Sequence, residues 1–407
     1  MRKWVTVFAG ARDSYQAAIA LHESGLLQNL VTDWYSPLDT PPVRMISPAL
    51  PNSLRSLLTR RYSSLLPSSV VFSLPRSRLT LPLSRADLPS WPQVADSLGR
   101  AAGRLAYRTN AGILAYIHTA TEAFKAAGSN VPKILFQVHP HPASVKRILL
   151  EDNFLPDTRE EPLFDEVVWP AEWLAKYSRE CHAADLCIAS SEHTKQTLVE
   201  NGIDPSRVKV IPYGVDLDRF QPGVNRPMPG ERFRVVFAGQ MVRRKGIHYL
   251  LEAWKRLGFR DAELRLVGRG AYNQAILGRY EGCFTMVGAV GSNALVEEFR
   301  SSDVFCMPSL TEGFGLVYLE ALAAGTPVIA TDNTGAADIV TDGQEGFVIP
   351  PRDIDALMAC LEYCYKNRSR LREMRSGARR RAEQFTWQRF RSSLSSVVRD
   401  LDWRPSA

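Results

Sequence analysis

Hydrophobic and polar positions change period repeatedly along this chain. Short apolar, β-branched runs bounded by glycine, proline or polar turns give way to stretches with helical spacing, and then the pattern starts again. In the first half, Val5 to Gly10, Lys133 to Val138, Leu186 to Ala189 and Val208 to Ile211 read as strands, with helical pattern such as Lys195 to Asn201 between them. The second half alternates more cleanly, with strands expected at Leu264 to Val267, Phe284 to Val287, Val304 to Met307, Pro327 to Ala330 and Gly346 to Ile349. Continuous apolar strands separated by helices belong to parallel sheets covered on both faces. Two runs echo one another, Val5-Thr6-Val7-Phe8-Ala9-Gly10 and Arg234-Val235-Val236-Phe237-Ala238-Gly239. Each has the form of the first strand and turn of a doubly wound fold, so two such α/β domains are expected. Pro222, Gly223, Pro227, Pro229 and Gly230 mark a linker between Arg219 and Glu231. The expected domains are 1–220 and 231–385, followed by a terminal helix over 386–407.

The 407 residues are 45% hydrophobic and 23% charged, which excludes disorder over most of the length and suits two cores better than one. No apolar run approaches the roughly 18 residues of a membrane-spanning helix. Met1-Arg2-Lys3 and the apolar stretch after it lead straight into Arg12 and Asp13, which reads as a first buried strand rather than a secretory leader. The six cysteines lack metal-like pairing, so they are expected to be small buried residues in a reducing cytoplasm. The net charge of +7 is mostly local: between Pro41 and Ser90 lie Arg44, Arg55, Arg60, Arg61, Arg76, Arg78 and Arg85 against the single acid Asp87. That stretch, about 41–92, reads as an insertion. A solvated surface is one reading of it. Attraction to anionic lipid or to a phosphate-bearing acceptor is another, with Leu57, Leu58, Leu65, Leu66 and Phe72 beside the arginines. Nucleic acid is not expected, because no aromatic platform or reading helix accompanies the charge.

The strongest chemical signal runs from Pro308 to Ala330: a strand end, a glycine loop holding Glu312, Gly313, Phe314 and Gly315, a helix from about Gly315 through Leu316 and Glu320, and a stop at Gly325. A glycine loop feeding a helix start offers backbone N–H groups and a positive dipole end to an anion. Two carboxylates eight positions apart can address different parts of one elongated ligand, and a carboxylate suits sugar hydroxyls because it accepts two hydrogen bonds. Set in this context, Glu312 and Glu320 resemble the signature of the retaining glycosyltransferases of family 4, which have the GT-B architecture: two facing Rossmann-like domains with a cleft between them. Lys209 to Asp216, Phe237-Ala238-Gly239 and Arg243-Arg244-Lys245-Gly246 support the resemblance, which is strong from Leu186 to about Ile349.

The resemblance implies a nucleoside diphosphate sugar as donor substrate, a glycan or lipid-linked acceptor, and neither a metal nor another cofactor. Glu320 would hold the ribose; Gly313, Phe314, Gly315 and Leu316 would surround the phosphates and sugar; Glu312 would contact the transferred sugar; and Lys245 would neutralise the diphosphate. The chain departs from the family at Gln240, where arginine commonly stands, leaving Arg244 or Arg243 to supply that cation. His139 and His141 follow a strand and are each fixed by a proline, His139 being nearer the strand end and the favoured contact to the sugar. Gly10 and Arg12 form the turn of the first strand and are expected to face the cleft, Gly10 as a donor-binding position, with a plain turn as the other reading. The acid pairs Asp216/Asp218 and Asp400/Asp402 are not expected to hold metal, and Gly268-Arg269-Gly270 is no dinucleotide fingerprint although it can line the nucleotide pocket. The reading is therefore a cytoplasmic hexosyltransferase of envelope or exopolysaccharide synthesis, peripheral to the membrane. Its rivals are a non-catalytic nucleotide-sugar-binding scaffold and a sugar-nucleotide epimerase.

Overall fold

The computed structural model describes residues 1–46, 50–74, 91–154, 169–223, 232–270 and 277–401. Two wholly parallel sheets organise them. The first contains β1 (Trp4–Val7), β2 (Leu27–Thr32), β3 (Val71–Ser73), β4 (Gly112–Tyr116), β5 (Lys133–Gln137), β6 (Leu186–Ala189) and β7 (Val208–Val210), in the order β3-β2-β1-β4-β5-β6-β7. The second contains β8 (Phe233–Ala238), β9 (Ala262–Val267), β10 (Thr285–Gly288), β11 (Val304–Met307), β12 (Val328–Thr331) and β13 (Gly346–Ile349), in the order β10-β9-β8-β11-β12-β13. Central strands such as β1, β4, β11 and β12 are buried at every position, which is why they read as unbroken apolar runs. Both sheets reverse their winding beside their first strand, between β1 and β4 and between β8 and β11. In such sheets the crevice beyond the strand ends at this reversal is where ligands bind.

The two α/β domains meet through those ends. The carbonyl of Val138, just after β5, stands 2.0 Å from where a Cβ on Gly313 would be, so only glycine permits the approach. Ser191 Oγ and Thr194 Oγ1 of the first domain both donate to the Gly313 carbonyl, the latter at 3.1 Å. Tyr213 packs edge-on against Phe314 with ring centroids 5.6 Å apart. The helix Trp387–Asp400 lies on the helix Gln16–Glu23, where Arg391 Nε donates to Glu23 at 2.8 Å and Ser395 Oγ donates to the Ala20 carbonyl at 2.9 Å.

Within the basic insertion the structure adds a feature that the sequence pattern did not reveal: Val71–Ser73 pairs with β2 as the edge strand of the first sheet. Leu66 is fully buried, so it is withdrawn from any lipid-facing set, whereas Leu57, Leu65 and Phe72 are exposed. Arg76, Arg78, Arg85 and Asp87 lie outside the described residues. No helix among the described residues is long and apolar enough to cross a membrane.

Candidate functional site

A cavity of about 510 Å³ lies between the strand ends of the two sheets. Its lining comes from the turns after β1 (Arg12, Asp13), β5 (His139), β8 (Gly239, Gln240), β9 (Gly268, Arg269) and β11 (Glu312, Phe314, Gly315), and from Lys245 and Glu320.

Glycine geometry builds the second domain's wall. Gly315 has φ +77° and precedes the helix Leu316–Ala323, whose first-turn residues Leu316 and Val317 line the cavity. The opening N–H groups of a helix have no intrahelical partner, so this end favours an anion. Gly268 abuts the Gly239 carbonyl so closely that a Cβ would sit 1.8 Å from it, which packs the turns after β8 and β9 together. Gly246, at φ +66°, ends the 3₁₀ turn Arg243–Lys245, and a Cβ there would fall 1.8 Å from the Pro308 carbonyl. The turn is thereby pressed against the end of β11, where the Leu310 N–H donates to the Arg244 carbonyl at 2.8 Å.

That clamp brings two cations to one carboxylate. Arg244 Nη1 donates to Glu312 Oε2 at 2.8 Å, and Lys245 Nζ donates to the same oxygen. Burial opposes ionisation of Glu312, but Arg244 and Lys245 outweigh it and hold the carboxyl well below its usual range. Burial likewise lowers the Lys245 ammonium, against the pull of Glu312. Glu320 lies about one turn into the helix Leu316–Ala323. Burial pushes its carboxyl up to about 7, with Arg219 opposing only weakly. One cavity therefore holds one acid fixed as an anion and another poised near neutrality.

On the first domain's side, His139 is kept neutral: burial and the nearby charge of Arg12 lower it to about 3. His141 is placed elsewhere. It caps the helix Pro142–Leu150, accepting from the Ala143 N–H at 3.3 Å, and its other ring nitrogen meets the Ser178 carbonyl. The turn after β1 runs through three left-handed residues, Asp13, Ser14 and Tyr15, at φ 42°, 52° and 67°. Such backbone costs about 1 kcal/mol or more per residue and persists where the surroundings enforce it. The Asp13 carboxylate accepts from the Tyr116 hydroxyl, its other oxygen is buried without a hydrogen-bond partner among the described residues, and burial pushes it to about 7. Gly10 stands behind this turn, its N–H donating to Asp33 Oδ1 at 2.8 Å.

Both halves of the molecule match family models, and the matches span most of the chain. Residues 232–367 match the model described as glycosyl transferases group 1, and residues 43–219 the model described as Glycosyltransferase Family 4. The chain belongs to the family 4 glycosyltransferases. Among its relatives, MMP alpha-(1->4)-mannosyltransferase of Mycolicibacterium hassiacum is 35% identical over 214 residues, covering 50% of this chain and 51% of that protein. D-inositol 3-phosphate glycosyltransferase of Rhodococcus jostii is 28% identical over 277 residues, covering 63% and 59%. The chain thus spans about half to three-fifths of the length of these relatives. Its fold is shared with sucrose-phosphate synthase from Thermosynechococcus elongatus, at TM-score 0.71 and 19% identity over 98% of this chain and 99% of that one. It is also shared with Anabaena HepE in complex with UDP-glucose, at TM-score 0.63 and 16% identity over 98% and 100%. The fold is GT-B.

As a family 4 glycosyltransferase, the chain places its sequence-derived candidates unequally. Glu312, Lys245, His139, Phe314, Gly315, Leu316 and Glu320 line the cavity together with Arg12, and Arg244 joins through Glu312. Gly313 serves the domain contact, since its carbonyl is taken by Ser191 and Thr194. Arg243 does not stand in for the cation missing at Gln240, because it is buried against Asp152 of the first domain at 2.9 Å. Asp216 pairs with Arg219, and Asp402 lies outside the described residues. Sequence reasoning passed over Asp13, although the turn after β1 was already a candidate. It also missed His193, whose Nε2 lies 2.8 Å from Thr311 Oγ1 beside Glu312; nothing in its helical surroundings signals that contact.

Proposed function

We propose that this chain moves a hexose-type sugar from a nucleoside diphosphate sugar to a hydroxyl of a glycan or lipid-linked acceptor, with retention at the anomeric carbon and without a metal, in cell-envelope or exopolysaccharide synthesis. The observation that carries this reading is the convergence of Arg244 and Lys245 on Glu312 beside the start of the helix Leu316–Ala323, in a cavity that also holds Glu320. Relatives named for glycosyl transfer, and a fold neighbour in complex with UDP-glucose, support it.

In this reading the diphosphate lies against the helix start and the two cations, and Glu320 accepts from the ribose hydroxyls. As the glycosidic bond breaks, its electron pair passes to the leaving diphosphate oxygen, where Lys245 and Arg244 stabilise the growing charge. The acceptor hydroxyl attacks the face being vacated, and its proton goes to the leaving phosphate. Glu312 and neutral His139 orient the sugar, and Asp13 in the cavity wall stands on the side the acceptor would enter. Positioning and electrostatics then carry most of the rate.

The first test is the melting temperature of the purified chain with UDP, GDP and ADP and their common sugar conjugates. A ligand that binds only the folded state raises it by mass action, by about 2.7 kcal/mol of stability at a hundredfold excess over Kd. The expected result is a shift with one base, followed by sugar transfer that survives EDTA. Binding with neither transfer nor hydrolysis identifies a scaffold, which the Gln240 substitution favours. In that case Gln240→Arg is expected to tighten nucleotide binding. No shift with any nucleotide overturns the proposal.

A further inference from the structure

The segment leaving the helix Pro142–Leu150 carries Asp152 across to the second domain. Its side chain is 0% exposed, and three second-domain groups surround the carboxylate: Arg243 Nε donates at 2.9 Å, the Tyr249 hydroxyl donates at 2.8 Å, and His248 Nε2 lies 3.2 Å away. Arg243 Nη2 also donates to the Asp152 carbonyl. Phe154 packs over Tyr249, ring centroids 4.7 Å apart, and covers the cluster. None of Asp152, Arg243, His248 and Tyr249 lines the cavity.

What they share is a stretch of chain. Arg243 opens the 3₁₀ turn whose other two residues, Arg244 and Lys245, hold Glu312, and His248 and Tyr249 belong to the helix Ile247–Leu257 that follows it. The stretch 243–249 is therefore gripped on one side by the first domain and presents its cations on the other.

We propose that Asp152 is a positioning residue: from the first domain it sets the place of Arg244 and Lys245, so that these cations are aligned only while the two domains are together. A buried ion pair adds little net stability, because desolvation offsets the attraction, so the value of this one lies in geometry. Parting the domains returns Asp152 and Arg243 to water and releases the turn, which makes the contact one of two discrete states rather than a graded restraint. The ligand that benefits is the nucleotide of the proposed function, on which that part of the inference rests; the contact itself does not depend on it.

Hydrogen exchange on the full-length chain tests the contact. In Asp152→Asn, amides of residues 241–250 are expected to exchange about tenfold faster while β1 and β8 stay within about twofold of wild type. Glu151→Gln is the control, since Glu151 is exposed and pairs only loosely, at 3.3 Å with Arg147 and 3.4 Å with Arg352; it should leave both regions unchanged. The second arm measures Kd for whichever of UDP, GDP and ADP binds the wild type. Asp152→Asn should weaken it about tenfold, and should add little in an Arg243→Gln background if the effect passes through Arg243. Unchanged exchange at 241–250, acceleration spread evenly over the chain, or full additivity with Arg243→Gln each overturns the proposal. Should no nucleotide bind the wild type, the proposed function fails while exchange still decides the role of Asp152.

Discussion

Glu312 and Glu320 occupy one cavity with opposite titration behaviour, and neighbours make the difference. Glu312 is as enclosed as Glu320, but two cations within bonding distance hold it ionised, whereas for Glu320 burial outweighs the charge of Arg219 and pushes the carboxyl to about 7. Because the folded pKa of Glu320 exceeds its ordinary value of 4.5, the folded chain binds the extra proton and its contribution to stability falls as pH rises from about 4.5 to about 7. Ligand binding runs the other way. A carboxylate accepting from ribose hydroxyls binds best when ionised, so nucleotide affinity is expected to rise as pH passes through about 7. Titration calorimetry from pH 5.5 to 8.5 measures this, and Glu320→Gln should flatten the profile as well as weaken binding. A profile unchanged in Glu320→Gln transfers the dependence to Asp13, the cavity's other carboxyl at about 7, and removes the ribose role from Glu320.

At the scale of elements, the turn Arg243–Lys245 owes its position to Gly246, which combines a left-handed φ with backbone contact at Pro308. Any side chain there meets a carbonyl that cannot yield without moving β11. Gly246→Ala is therefore expected to lower unfolding free energy by about 2 kcal/mol or more through strain and displaced packing, and to weaken nucleotide binding beyond what the stability loss explains. Chemical denaturation and nucleotide titration on the same preparation check both. Gly278, with open space around it and no left-handed φ, is the control position, where Gly278→Ala should be nearly neutral. This clamp also shows how far the sequence was legible. The strand ends and the glycine loop from Pro308 to Gly315 could be read because buried parallel strands are continuously apolar and glycine is required where backbones touch. Val71–Ser73 could not, since a three-residue edge strand in a proline- and arginine-rich stretch has no period to detect. Nor could the division of labour among Arg243, Arg244 and Lys245: three adjacent cations look alike in sequence, and only the tertiary position of Asp152 sends the first inward and leaves the other two to Glu312. Gly313 was legible as a glycine that matters, but its reason is the Val138 carbonyl of the other domain, 175 positions earlier in the chain.

At the scale of the whole molecule, the basic insertion is tied to the mouth of the cavity. Arg61 meets Asp33 at 3.2 Å, and the same Asp33 oxygen accepts from the N–H of Gly10, two residues before Arg12 in the cavity wall. Around this anchor, Arg44, Arg55 and Arg60 are exposed, together with Leu54, Leu57, Leu65 and Phe72. Positive charge interleaved with exposed apolar side chains suits an anionic bilayer surface, which would present a lipid-linked acceptor on the side where Arg12 and Asp13 stand. At about 1 kcal/mol for each basic residue near such a surface, three arginines favour anionic over neutral vesicles by about 3 kcal/mol, or roughly a hundredfold. Co-sedimentation with phosphatidylcholine vesicles, with and without phosphatidylglycerol, reads this ratio directly. The preference should collapse at 1 M salt, where the Debye length shrinks to about 3 Å. Leu54→Ser with Leu57→Ser should weaken binding to the anionic vesicles while leaving nucleotide affinity unchanged, because neither residue lines the cavity. No binding to either vesicle type assigns the insertion to solvent and leaves the acceptor to be sought among soluble glycans, whereas equal binding to both removes the arginines from the contact.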